Sequence, residues 1–156
     1  MSEDVVVQRS IGAPPMRVWS MISDITRMGE WSPESTGGSW LKGAGGPAVG
    51  AKFNGTNRNG KKKWSTTGTV TEAEPGRRFA FSVDVGPIAI SAWTFDIEPT
   101  DAGCTITETW TDRRGRFARW IGKPASGVAD RTSHNRATME QTLDRLASAA
   151  EAAADV

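Results

Sequence analysis

The sequence has no tyrosine, one cysteine and one histidine. The single cysteine, Cys104, excludes an internal disulfide, and this usage is typical of a reducing cytoplasm. No histidine pattern accompanies Cys104 to activate its thiol, which indicates a structural role. Because His134 is also alone, no cluster of His, Cys and acidic residues has the spacing of a metal site, and we expect neither metal nor cofactor.

An excess of charge of either sign is also missing, since 19 Lys plus Arg stand against 18 Asp plus Glu. This balance gives no general attraction to nucleic acid, so no nucleic-acid partner is expected. No apolar run approaches the roughly 20 residues of a membrane span, and residues 1–7 lack the pattern of a signal peptide. We therefore expect one cytoplasmic domain, residues 1–156, without stable membrane insertion, as a monomer or weak homodimer.

The stretch from about residue 133 to residue 153 has the pattern of a long amphipathic helix. It contains neither Gly nor Pro, and one stripe recurs every three or four residues. The members of this stripe are Thr132, Asn135, Met139, Leu143, Leu146 and Ala150. Because the stripe is half polar, we predict that the helix covers something other than a solid core.

The preceding sequence reads as strands separated by turn signals. A strand at residues 5–11 is followed by two short helices, which end near Asp24 and Trp31. Further strands are predicted at residues 39–42, 51–58, 62–73, 78–85, 88–98 and 104–112. Consecutive hairpins make a meander whose concave face only the C-terminal helix can cover, so the predicted fold class is α+β, a curved antiparallel sheet wrapped around that helix.

Aromatic residues are the abundant component, with seven Trp and five Phe. Large flat rings suit an apolar ligand, and alternation directs many of them to the concave side of the sheet. The predicted ligand-binding residues are Trp31, Asn57, Trp64, Phe79, Phe81, Trp93, Phe95, Trp110, Asn135, Met139 and Leu143. A filled aromatic core is the alternative interpretation.

Glu108 is the main candidate for a polar role in ligand binding or catalysis. Alternation places it between Ile106 and Trp110 on a face that we expect to be buried, where an isolated carboxyl is costly unless it is paired or protonated. It is either a hydrogen-bonding group for a ligand or an acid/base. A salt bridge to an arginine, or an inverted facing of the strand, would explain it without such a role. His134 is expected at the surface or at a helix cap.

Two basic segments are explained most simply as solvated surface. The three lysines at positions 61–63 follow the hairpin signal Asn59-Gly60. Residues 113–124 are basic, with Phe117 and Trp120 as apolar anchors, and they do not form a P-loop because the glycine spacing is too long. A contact patch at the lysines, or a surface for an anionic membrane or a protein at the second segment, is the alternative.

Several short motifs follow one another in a recognisable order. They are Ala13-Pro14 through Val18-Trp19 before Asp24, Trp31-Ser32-Pro33, Val49-Gly50-Ala51-Lys52-Phe53 with Trp64, Glu74-Pro75-Gly76-Arg77-Arg78-Phe79, Trp93-Thr94-Phe95, and Gly103 through Thr105-Ile106-Thr107-Glu108. Their order and spacing resemble the START/Bet v 1-like (SRPBCC) superfamily, in particular its bacterial polyketide cyclase/dehydrase-like branch. The resemblance implies a helix-grip fold around a hydrophobic cavity. Members bind lipids, polyketides or other apolar molecules, and some are aromatases or cyclases.

Three hypotheses for function remain. The first is binding of a hydrophobic small molecule, lipid or polyketide-like, oriented by Glu108, Asn57 and Asn135. The second is a cofactor-independent cyclase or aromatase in which Glu108 transfers protons. The third is a protein-interaction module that uses residues 113–120. We favour the first, because no second acid/base group stands out to complete a catalytic pair.

Overall fold

The computed structural model describes residues 4–41, 43–114 and 131–153. In this part of the chain, seven strands form one antiparallel sheet, and the helices pack against it. The elements in order are β1 Val5–Ile11, α1 Pro15–Ile22, a 3₁₀ turn Ile25–Arg27, α2 Met28–Trp31, β2 Ser35–Trp40, β3 Lys52–Asn59, β4 Lys62–Glu74, β5 Arg78–Val85, β6 Ile88–Thr100, β7 Gly103–Asp112 and α3 Arg131–Ala153.

The sheet is a meander that the first strand joins at its end. The strand order is β1-β7-β6-β5-β4-β3-β2, and β1 lies antiparallel to β7 with Val5 opposite Trp110. Register shifts interrupt the ladders between Val70 and Glu72 and between Val83 and Asp84. Such irregularities bend strands and increase their twist. The predicted α+β helix-grip fold is confirmed.

Helix α3 packs across the sheet with the face that its sequence predicts. Its buried residues are Asn135, Met139, Thr142, Leu143, Leu146, Ala147 and Ala150. Its acidic residues Glu140, Asp144 and Glu151 are exposed. Thr132, which we had predicted on the inner stripe, is also exposed, because it lies in the first turn, at the end of the helix.

Two elements near the N-terminus differ from the prediction. The predicted second helix is a 3₁₀ turn, capped by the Asp24 carboxylate, followed by the single turn α2. Strand β2 begins four residues before its predicted start, because its two glycines looked like loop sequence. Gly38 serves close packing instead, since a Cβ there would lie 2.9 Å from the carbonyl oxygen of Ile25, and Gly37 has a φ of +143°, which favours glycine. The other strand ends differ from the prediction by at most two residues.

Gly68 on β4 lies beneath the ring of Phe53, its direct partner on β3. A Cβ at position 68 would stand 2.1 Å from Cζ of that ring. The ring is held on two sides, because it packs edge-on against Trp40 and Phe81, with centroids 5.8 and 5.3 Å away. Close packing of this kind makes a glycine necessary at position 68.

We therefore expect Gly68→Ala to lower the free energy of unfolding by about 1–3 kcal/mol, as overpacking usually does. Urea denaturation measures this loss. Gly45→Ala is the matched control, because a Cβ there meets nothing within 4 Å. If Gly68→Ala were as stable as the control, the ring of Phe53 would not lie where the structure has it.

Candidate ligand-binding cavity

A cavity of about 310 Å³ lies between the sheet and the helices α2 and α3, partly open to solvent. This volume is at the lower end of the range for small-molecule sites. Its wall combines aliphatic side chains, a few polar groups and seven aromatic rings. The rings are those of Trp31, Phe53, Trp64, Phe81, Trp93, Phe95 and Trp110.

Strand alternation orders the aromatic wall. Ser91, Trp93 and Phe95 follow one another at every second position of β6, and Glu108 and Trp110 do the same on β7. Trp93 is opposite Trp110 and Phe95 is opposite Glu108 in the ladder. The two indole rings lie 6.5 Å apart at 49°, and the indole N–H of Trp93 donates a hydrogen bond to Ser91 Oγ at 3.0 Å.

The structure brings together nine of the eleven predicted ligand-binding residues. On the cavity wall are Trp31, Asn57, Trp64, Phe81, Trp93, Phe95, Trp110, Asn135 and Met139. Their contact with a ligand stays a prediction.

Phe79 and Leu143 do not lie on the wall, so their predicted placement is wrong. Phe79 is fully buried on β5, next to Arg78, whose carbonyl oxygen accepts a hydrogen bond from the Trp19 indole of α1. Leu143 lies one turn beyond Met139, where α3 packs into the core. Both side chains share a face with the cavity residues, but they lie at the filled end of that face.

Glu108 faces inward, as predicted, and is only 3% exposed. Its neighbours on the same face are Ile106 and Trp110 along β7, with Val7 and Phe95 opposite. The facing of the strand is therefore not inverted. Within the described residues its Oε1 has no hydrogen-bond partner, and no salt bridge to an arginine is present there. Burial raises the pKa of Glu108 to about 8, and the group is therefore mostly a neutral acid near pH 7.

The other charged groups of the wall, Glu34 and Arg114, have partners. Glu34 Oε2 lies 3.0 Å from Nε2 of His134, and Arg114 Nη2 lies 2.9 Å from Asp112 Oδ2. His134 was predicted at the surface or at a cap, but it is half-buried and joins α3 to the residue before β2. Such pairs leave no local sequence signal, because Glu34 and His134 are 100 residues apart.

Several wall residues were missed, although a signal for some was present. Phe53 and Gly55 share the period of two with Asn57 on β3. Thr138 and Thr142 lie three residues beyond Asn135 and Met139, respectively, and helical spacing places such pairs together. Applying the same periodicities to small and polar residues would have found these four.

Outside the cavity, the remaining candidates have ordinary surroundings. Cys104 is buried, and this raises the pKa of its thiol, which fits the structural role. Lysines 61–63 are exposed at the β3–β4 hairpin, and residues 115–124 of the second basic segment lie outside the described residues. Among the described residues, no group of three His, Cys, Asp or Glu side chains could hold a metal ion, and no helix is long and apolar enough to cross a membrane.

A curved antiparallel sheet closed by one long helix over a largely apolar cavity defines the helix-grip class of proteins. Within that class, the chain belongs to the family described as polyketide cyclase / dehydrase and lipid transport, whose family model matches residues 2–151. No curated protein sequence matches the chain significantly.

Solved structures with the same fold cover nearly the whole chain. The Polyketide_cyc-like protein Cgl2372 from Corynebacterium glutamicum is 29% identical, with coverage of 100% of this chain and 93% of that one and a TM-score of 0.62. Protein CV1439 from Chromobacterium violaceum is 18% identical over 95% and 96%, with a TM-score of 0.71. The di-domain ARO/CYC StfQ from the steffimycin biosynthetic pathway is 14% identical over 100% and 53%, with a TM-score of 0.77. At 18% and 14% identity, the last two show the fold alone.

Proposed function

We propose that this protein binds a hydrophobic small molecule, a lipid or a polyketide-like compound, in the cavity between the sheet and α3. It would do so as one cytoplasmic domain, residues 1–156. The observation that carries the proposal is the cavity wall, which combines seven aromatic rings with a few inward polar groups. Apolar walls with few polar groups are typical of small-molecule sites, because the rings supply affinity and the polar groups orient the ligand.

The nine predicted residues on the wall are the proposed ligand contacts, with Asn57, Asn135 and Glu108 as the orienting groups. Membership in a family described partly by lipid transport supports an apolar ligand. The cavity also explains the half-polar face of α3. Asn135 and Thr142 are buried on that face and line the cavity, where a ligand can use their polar atoms.

A cofactor-independent cyclase or aromatase is the second candidate. The observation that favours it is Glu108, a buried acid whose pKa of about 8 suits proton transfer near neutral pH. The family description includes cyclases and dehydrases. We prefer the binding protein, because the other ionisable groups of the described wall, Glu34 and Arg114, already have partners in His134 and Asp112. The two candidates share the cavity and differ in turnover.

Titration with apolar ligands tests binding, because the rings of the wall report on occupancy through tryptophan fluorescence. We expect a saturable change with flat polycyclic phenols or medium-chain ketones. Trp93→Leu should remove about half of this change or more, since its ring lies on the wall beside Trp110. Native mass spectrometry of the protein from its own source would then identify the class of ligand.

Trp40→Leu is the matched control for this titration. It also removes one tryptophan, but Trp40 is not on the wall. The control should keep most of the ligand-induced change. If a broad panel of apolar ligands gives no saturable signal with the wild-type protein, the proposed function is wrong.

A further inference from the structure

We propose that Glu108 selects the ligand of this cavity: an uncharged molecule that presents a hydrogen-bond-accepting oxygen, such as a ketone, to the carboxyl group. Carboxylate anions are rejected. This inference rests on the proposed function and adds the polar chemistry of the ligand.

The first support is the geometry of Glu108. Its carboxyl group is on the cavity wall, and the residue is only 3% exposed. Within the described residues, its Oε1 has no hydrogen-bond partner. Buried polar atoms are nearly always hydrogen-bonded, because an unmade bond is costly. With Ile106, Trp110, Val7 and Phe95 around it, this group finds its partner in whatever fills the cavity.

The second support is that the two basic side chains near the described wall, Arg114 and His134, already have partners. The guanidinium of Arg114 donates to Asp112 through Nε and Nη2, at 2.9 Å each. The imidazole of His134 lies 3.0 Å from Glu34. Both basic side chains therefore already face a carboxylate of the protein. A ligand carboxylate beside Glu108 would meet a second carboxyl group instead, and two such groups sharing a site retain a proton between them.

The third support is that three other donors of the wall, two hydroxyls and one indole, are already used within the protein. Thr138 Oγ1 donates to the carbonyl oxygen of Asn135 at 3.0 Å, and Thr142 Oγ1 donates to that of Thr138 at 2.7 Å. The Trp93 indole donates to Ser91. The hydroxyl and indole protons of these three residues are therefore already used in hydrogen bonds within the protein. Because burial raises the pKa of Glu108 to about 8, its carboxyl group carries a proton near pH 7 and is a donor directed into the cavity.

Three probes that share one chain length test this inference: 2-decanone, decanoate and decylamine. Near pH 7, wild-type protein should bind 2-decanone about thirtyfold more tightly than decanoate, or more, because the anion must give up its hydration to enter an apolar cavity in which Arg114 already pairs with Asp112. Glu108→Gln keeps the shape of the side chain and removes its titration. Its amide has two N–H donors where the neutral acid has one O–H, and the two oxygens of decanoate can accept both, so the ratio of the two affinities should fall by about threefold or more.

The pH provides an independent readout. Near pH 9.5, the ionised carboxylate of Glu108 cannot donate to a ketone, so wild-type affinity for 2-decanone should drop by about tenfold while that of Glu108→Gln stays constant. Glu98→Gln is the matched control, because it makes the same change at an exposed position of β6. It should keep both the wild-type ratio and the wild-type pH profile.

Three results would overturn the inference. Tighter binding of decylamine than of 2-decanone would mean that Glu108 ionises and pairs with a cation. Identical affinity ratios in wild type and Glu108→Gln would mean that the carboxyl group does not select, and the proposed binding function would still stand. If none of the three probes bound either protein, the inference would fail, and failure of the phenols as well would remove the proposed function.

Discussion

The wild-type protein should become less stable as the pH rises from about 5 to about 9, and the Glu108→Gln variant should escape this loss. The folded-state pKa of Glu108 is about 8, raised by burial above its ordinary value of 4.5. Between these two values the folded protein binds more protons than the unfolded chain. By linkage, the free energy of unfolding then falls with rising pH through this window and levels off above about pH 8.

The contribution of Glu108 to this fall is about 3–5 kcal/mol, since each unit of pKa difference is worth about 1.4 kcal/mol. Urea denaturation of both proteins at a series of pH values measures it as a growing difference between their stabilities. Glu98→Gln, exposed on β6, controls for the general effect of removing one negative charge. Parallel stability curves for wild type and Glu108→Gln would show that the carboxyl group is not desolvated in the folded state.

The facing of the sheet could be predicted from the sequence because a strand has a strict period of two. Trp93 and Phe95 on β6, and Glu108 and Trp110 on β7, fall on one face wherever those strands begin. The Asn59-Gly60 signal sets the hairpin in the same way, since Gly60 has a φ of +62° that other residues rarely adopt. These local rules were enough for the fold class and for six of the seven aromatic rings of the wall.

Depth along a face could not be predicted, because periodicity carries no information about it. Phe79 and Phe81 have the same orientation on β5, yet only Phe81 reaches the cavity. The difference is made by the elements that pack above them, which come from distant parts of the chain. The pair of Glu34 and His134 escaped prediction for the same reason, since it joins the loop before β2 to α3.

Helix α3 shows both the facing that the sequence predicts and the depth that it does not. Its half-polar inner face predicted that it covers something other than solid core, and its first half does so. Asn135, Met139 and Thr142 line the cavity. Its second half is core, with Leu146 and Ala150 fully buried. The division between the two halves falls at about Leu143, the first buried residue of the helix that is absent from the wall.

Leu143→Ala should therefore destabilise the protein strongly, by about 2–5 kcal/mol, as large-to-small changes in a packed core do. Leu143 is only 2% exposed and belongs to the hydrophobic core. Because its side chain packs there and not on the wall, a ligand cannot fill the space that the truncation leaves. The loss should consequently persist when the cavity is saturated with ligand, although ligand binding raises the stability of wild type and variant alike.

Gln141→Ala is the matched control for this change, because Gln141 is exposed on the same helix. Alanine has the higher helix propensity, so the control should unfold within about 0.5 kcal/mol of wild type. Chemical denaturation of the three proteins, with and without a saturating ligand, gives both comparisons. A loss below about 0.5 kcal/mol for Leu143→Ala would mean that α3 is not docked on the sheet at this point. A loss that vanished with ligand would place Leu143 on the cavity wall, because only there could the ligand replace its contacts.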